Sequence, residues 1–230
     1  DDPGEDILNW RFANDVFLVT TLEPQATDYG WESNGNVQFS NYWSINYNSN
    51  LANGVVEPGA LRGGASLQTD PNFSGSIGVN TDNRKPIQLF LGTYGNRTWA
   101  TGSAGGGFDI GATIHARSNI DIYVGPSFSR NNNGMQYIDQ VDDSDGMRHY
   151  VFGRIKQTTT SLTMRVDWTF TPRLALQAYA QPFVATGRYS QLKDVDNPRA
   201  ERFEDRFTPI SGGDYTLRDD VYTVTTPSGA

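Results

Sequence analysis

The chain has 230 residues, no cysteine, and 26 acidic against 18 basic side chains, for a net charge of -8. This excludes a disulfide framework and a thiolate metal site, and it argues against nucleic acid, whose binders cluster Lys and Arg against phosphates. Mean hydropathy is -0.54, no apolar run approaches the ~18 residues of a membrane-crossing helix, and the amino terminus carries no stretch that reads as a retained leader.

In chain order, residues 1–9 read as irregular, and Trp10, Phe12, Val16, Phe17, Leu18 and Val19 as a first strand interrupted at Asn14-Asp15. Strands are then expected near 36–48, 73–80, 86–96, 105–116, 119–130, 148–170 and 173–185. Their signal is a two-residue alternation. Val37, Phe39, Asn41, Trp43, Ile45 and Tyr47 alternate with Gln38, Ser40, Tyr42, Ser44 and Asn46, and Phe108, Ile110, Ala112 and Ile114 with Asp109, Gly111, Thr113 and His115. Ile120, Ile122, Val124 and Phe128 alternate with Asp121, Tyr123, Gly125 and Ser127, and Leu162, Met164, Val166, Trp168 and Phe170 with Ser161, Thr163, Arg165, Asp167 and Thr169. Successive side chains of a strand point to opposite faces, so each segment has one apolar and one polar face, and the fold class is all-β and antiparallel.

A soluble sandwich also alternates, but its strands run about 5 to 6 residues. These run about 10 or more, the ~9 to 11 that a tilted strand needs to cross a bilayer. With Asp109, Asp121, Arg165 and Asp167 among small polar neighbours on the polar rows, the pattern predicts an up-and-down transmembrane β-barrel with a wet lumen. About seven or eight strands in a single unit, 1–230, make a partial barrel that the rest of a larger barrel or other chains complete.

The links give a topology. Short ones fall at 81–85, 117–118 and Thr171-Pro172, long ones at 49–72, 97–104, 131–147 and from 186 onward. Outer-membrane barrels keep short turns in the periplasm and long loops outside. The same alternation makes 148–170 one long, bent strand, and 131–141 a protruding hairpin arm with Asp142-Asp143-Ser144-Asp145-Gly146 at its tip. Trp168 and Phe170 beside a turn, with Trp43 and Tyr47, fit an interfacial aromatic girdle.

The run Thr169-Phe170-Thr171-Pro172-Arg173-Leu174-Ala175-Leu176-Gln177-Ala178-Tyr179-Ala180-Gln181-Pro182-Phe183-Val184-Ala185-Thr186-Gly187-Arg188-Tyr189 resembles the signature of an uncharacterised outer-membrane barrel domain. In some Gram-negative bacteria that domain follows a family 9-type carbohydrate-binding module. Asp2-Pro3-Gly4-Glu5-Asp6, Phe39-Ser40-Asn41-Tyr42-Trp43, Asn80-Thr81-Asp82-Asn83-Arg84-Lys85 and Val124-Gly125-Pro126-Ser127-Phe128-Ser129 resemble it in the same order. The resemblance implies the outer membrane, a lipid environment and an association with saccharides, and it transfers no activity, cofactor or site residue. Such domains carry more strands on both sides, so the chain is expected to be a barrel segment.

Candidate chemistry is sparse. His115 and His149 are the only histidines, and no spacing gathers the three or four groups of a metal site or triad; polar luminal and loop histidines are expected, with no cofactor and no enzyme activity. Asp142-Asp143-Ser144-Asp145 and Asp194-Val195-Asp196 lack the calcium-loop pattern and read as solvated turns. Gly102 to Gly107 is a flexible approach to a strand rather than a phosphate loop, since no Lys-Ser/Thr follows. The expected lumen-lining residues are Asp109, His115, Asp121, Tyr123, Arg165, Asp167, Arg173, Gln177 and Gln181. Two functions follow: a channel or transport barrel tied to saccharide uptake, or a barrel that displays long loops or self-assembles without conducting.

Overall fold

Alternation in the sequence becomes a ladder in the computed structural model, which describes residues 5–20, 22, 26–54, 56–143, 145–211, 215–218 and 221–224. Eleven strands form one antiparallel sheet: β1 (Ile7–Thr20), β2 (Ala26–Phe39), β3 (Ser44–Ala52), β4 (Asn72–Asn80), β5 (Ile87–Thr98), β6 (Ser103–Arg117), β7 (Ile120–Asp142), β8 (Arg148–Thr171), β9 (Leu174–Ala180), β10 (Phe183–Val195) and β11 (Phe207–Pro209). A separate hairpin pairs β12 (Tyr215–Arg218) with β13 (Val221–Val224). Each strand pairs with its sequence neighbour, except that β8 holds both β9 and β10. The sheet does not close on itself: β1 pairs only with β2, and the path of strands ends at β11.

Several expectations need correction, and the first strand, expected to break at Asn14-Asp15, runs through both residues in register with Ser33 and Glu32. Eleven strands replace the seven or eight expected. The segment 36–48 is not one strand but the end of β2, a turn and the start of β3; Tyr42 takes φ 65, and the Trp43 N–H bonds the Asn41 side-chain oxygen at 2.9 Å. The segment 173–185 breaks at Gln181-Pro182, because proline has no N–H for the ladder. β9 and β10 nonetheless share one register against β8, with Ala180 opposite Met164 and Phe183 opposite Ser161, so they form one interrupted line. The long strand at 148–170 and the arm at 131–141 are present as β8 and the outer half of β7.

Turns at 40–43, 81–86, 118–119 and 172–173 all lie at one end of the ladder, as their pairings Gln38 with Ser44, Asn80 with Phe90, Arg117 with Ile120 and Thr171 with Leu174 require. The 81–86 turn is tied by Asp82, whose carboxylate takes the Arg84 N–H and guanidinium at 2.9 to 3.0 Å and is held down to about 2 by that Arg84 hydrogen bond. Links at 53–71, 99–102, 143–147 and 196–206 occupy the other end. The 97–104 link is shorter than expected, since β5 and β6 extend into it, and Ser144 lies outside the described residues. So do the first four residues and the last six.

Among the described residues none forms a core beneath the β4–β9 part of the sheet. Phe108, Ile110, Leu89, Leu91, Ile77 and Val184 are exposed on one face, while opposite them Gly92, Gly111 and Gly125 are buried and Thr113 and Tyr123 half-buried. A flat single layer would expose both faces alike, so the polar face is the concave one. Gln38 of β2 and Tyr123 of β7 line the same cleft, although five strand steps would part them by about 24 Å on a flat sheet.

The apolar band crosses the ladder at a slant. Pairings carry Ala13 to Asn34, Asn48, Ser76, Tyr94, Gly107, Ser129 and Thr159 in turn. On β1 the apolar side chains run from Leu8 to Leu18, centred on Ala13; on β8 they run from Leu162 to Phe170, centred on Val166, seven residues beyond Thr159. Seven strand steps therefore shift the band by seven residues. At ~3.3 Å per residue and ~4.8 Å per strand, the slope is about 35°.

Among the described residues, the hydrophobic core sits at the loop end. Leu61, Leu67, Phe152 and Phe207 are buried together, with Met135, Tyr137, Tyr150, Val195 and Phe203 packed against them. The arm at 131–141, expected within a long outer link, is thus β7 ladder whose Met135 and Tyr137 pack against this core. Arg206, 0% exposed, ties the cap together: it forms an ion pair with Asp70 and donates to the Gln68 carbonyl at 2.5 Å.

Candidate functional site

The polar face carries the candidate residues in register. His115 pairs with Asp121, Asp121 with Asp167, and Asp167 with Gln177, giving one row across four strands. In the next row Gln88, Thr113, Tyr123, Arg165 and Tyr179 stand side by side. Asp109 lies farther along the same face, with Ser127 and Ser161, whose hydroxyls are 2.7 Å apart. Seven of the nine expected residues, Asp109, His115, Asp121, Tyr123, Arg165, Asp167 and Gln177, therefore share one face.

Two do not belong to a strand row. Arg173 sits in the turn before β9, its N–H bonded to Thr171 Oγ1 at 3.3 Å, and Gln181 sits in the break before Pro182, where it accepts the Tyr179 hydroxyl at 2.7 Å. Both were expected inside a continuous strand, and the turn and the proline displace them.

Hydrogen bonds fix the orientation of the first row. The Gln88 amide nitrogen lies 2.6 Å from both the Asn83 carbonyl and His115 Nε2, so it is a donor to each. His115 Nδ1 then carries the proton and donates to Asp121 Oδ1 at 2.5 Å. Gln88 went unremarked in the sequence although it alternates between Ile87 and Leu89. Tyr123 lies flat between two glycines; a Cβ at Gly111 or Gly125 would come within 2.9 or 2.4 Å of its hydroxyl. Arg165 stands over the Tyr179 ring at 5.7 Å. The result is a shallow, hydrogen-bonding floor with two clefts, of about 250 Å³ near Tyr42, Asn80, Gln88 and Tyr123, and of about 340 Å³ near Asn96, Ser129, Asn131 and Gln157. Such a surface offers donors and acceptors to water or polyols. It places no nucleophile beside a base with a third orienting group.

At the loop end His149 joins the two acidic segments noted in the sequence. Its Nδ1 meets Asp194 Oδ2 at 2.5 Å and its Nε2 meets Asp143 Oδ2 at 3.3 Å; the Asp194 bond, aided by Asp143, raises its pKa above the usual 6.5 against the effect of burial. Lys193 donates to the Gly134 carbonyl beneath the Phe203 and Phe207 rings, and burial pushes its ammonium down to about 8. Arg154 clamps three elements, bonding Gln191 at 2.5 Å, Asn132 at 2.9 Å and the Thr101 carbonyl at 2.5 Å. Neither Arg154 nor the Arg206–Asp70 pair has a local sequence signal, because their partners lie 22 to 136 positions away. Among the described residues no group of three or more His, Asp or Glu side chains could hold a metal ion.

A family model described as "Domain of unknown function (DUF5916)" matches residues 2–205. No curated protein and no solved structure matches the chain.

Proposed function

From a chain that belongs to the DUF5916 family of domains of unknown function, we propose that the eleven-stranded sheet is part of the wall of an outer-membrane β-barrel in a Gram-negative bacterium, with the polar face as the lumen and small hydrophilic solutes as cargo. The observation that carries this reading is the slanted apolar band. Transmembrane barrel strands tilt by roughly 35–45° and present an apolar belt about 25 Å tall. Tilting these strands by about 35° levels the band into a plane, and its span from Leu162 to Phe170 or from Leu8 to Leu18 then measures about 22 to 27 Å in height. A soluble barrel also staggers its strands, but it turns its apolar side chains inward, whereas here they stand on the exposed face.

Lipid also gives the exposed face a solvent. Phe108, Ile110, Leu91, Val124, Leu174 and Leu176 are exposed with nothing packed over them, which in water is a large unfavourable apolar surface. The free edges of β1 and of β9 with β10 require further strands in this setting, because unpaired backbone groups in hydrocarbon cost several kcal/mol each. The four short-link turns belong in the periplasm and the capped end outside. Saccharides are the solute class favoured by the resemblance of the chain to barrels that follow carbohydrate-binding modules. The ordered cap favours a second reading, a barrel that displays this surface and conducts nothing.

Planar-bilayer conductance of the intact protein separates the two: current that oligosaccharides block supports the channel, and insertion without current supports display. The membrane assignment is tested by Ile110→Arg and Val166→Arg, each expected to cost about 2 to 4 kcal/mol of stability in lipid. Unchanged stability for both would refute it.

A further inference from the structure

The outward face segregates charge. Asp15, Glu32, Asp109, Asp121 and Asp167 all lie on the polar face, and from β1 to β10 the apolar face bears no carboxylate at or below the level of Arg97. Its charges are cationic: Arg97, Arg130, Lys156 and Arg188, all exposed, besides the clamped Arg154 and, at the turn end, Arg117 opposite Ile120. Pairings put Arg97, Ala104, Asn132, Lys156 and Arg188 in one ladder row, with Arg130 two positions nearer the band beside Gly106 and Thr158; because the band shifts one residue per strand, this row climbs away from its centre line by about four residues between Arg97 and Arg188. Each cation follows the last apolar side chain of its strand on the same face. Arg130 comes directly after Phe128; Thr93 and Gly95, Thr160 and Thr158, and Thr186 are the spacers on the other three strands. All four stand at the capped end, none has an ion-pair partner among the described residues, and the chain as a whole is acidic.

We propose that this row is a docking belt for phosphorylated lipid headgroups of the outer leaflet, and this rests on the membrane reading above. Charge complementarity selects that occupant. Arg130 stands at the rim of the apolar band, and Arg97, Lys156 and Arg188 stand four to six residues beyond it on the headgroup side, where long flexible stems let each cation reach toward a phosphate. Threonine hydroxyls between them add donors to the same layer, and the lack of any outward carboxylate there removes competition for the cations.

The test compares the wild-type protein with R97Q/R130Q/K156Q/R188Q in vesicles of phosphatidylcholine alone and of phosphatidylcholine doped with diphosphoryl lipid A. Both proteins should insert into phosphatidylcholine. Wild type should prefer the doped vesicles, and the preference should drop by about fivefold per cation removed and fade with added salt. Four Arg-or-Lys exchanges that keep the charges should retain it. A quadruple Gln variant that inserts and keeps the full preference overturns the belt. Failure of wild type to insert into phosphatidylcholine overturns the membrane reading itself, a different result from loss of the preference alone.

Discussion

The sheet and the cap at its end treat apolar side chains in opposite ways. Leu61, Leu67, Phe152 and Phe207 are hidden inside protein at 1 to 7% exposure, while Phe108, Ile110 and Val184 stand at 44 to 70%. Charge follows the same division: in the cap Arg206 is buried against Asp70, whereas on the polar face of the sheet Arg165 is exposed and Asp167 half-buried. A region with a core is stabilised by its own interior. A region without one depends on whatever wets its outer face, so the two parts should answer differently to mutation, to acidity and to the surrounding medium.

The largest difference is expected at the buried ion pair. Asp70→Asn or Arg206→Leu leaves one charged partner without its counterpart, a loss of about 3 to 5 kcal/mol. Proteolysis at 53–71 should rise sharply while the β4–β9 ladder keeps its hydrogen-exchange protection; equal loss of protection in both would show that cap and sheet fold as one unit. A smaller effect is expected from pH. Since the folded pKa of His149 is raised, its contribution is complete below about 6.5 and disappears as pH climbs through the higher folded value. Exchange in the β7–β8 arm should accelerate over that interval, and Asp194→Asn should flatten the dependence. No pH response in the wild-type arm would separate His149 from its stability. The smallest perturbation is a label. In this cysteine-free chain, Asp145→Cys should react with a membrane-impermeant thiol reagent on whole cells, and Ser118→Cys only after the outer membrane is opened. Reversed labelling would turn the molecule over, and equal labelling in buffer without detergent would indicate a soluble sheet.

The sheet was legible in the sequence because its signal is local. Alternation alone located β6, β7 and β8, and the parity of short and long links recovered β8 as one strand of 24 residues. It failed at Ser40 to Trp43, where no Gly or Pro marks the turn and the apolar series Phe39, Trp43, Ile45 stays in phase through it. Tyr42 adopts a left-handed conformation that sequence does not advertise. The candidate row was legible for the same reason as the strands: His115, Asp121 and Asp167 each fall on a polar parity. Their bond through Gln88 was not, since register across neighbouring strands decides it. The cap was invisible. Its core draws on 61–67, 135–152 and 195–207, and its ion pair joins Asp70 to a residue 136 positions away.

The one-position shift per strand has a further consequence for how this sheet can grow. It is wound like a screw thread: each added strand must enter about 3.3 Å farther along its neighbour to keep its apolar residues at the common height. A strand that zips onto the free edge of β1 without that advance lifts its band out of line, and a second such error doubles the misfit. The backbone of Ile7–Thr20 offers hydrogen bonds to any extended partner. The thread admits as a lasting neighbour only one that carries the same pitch.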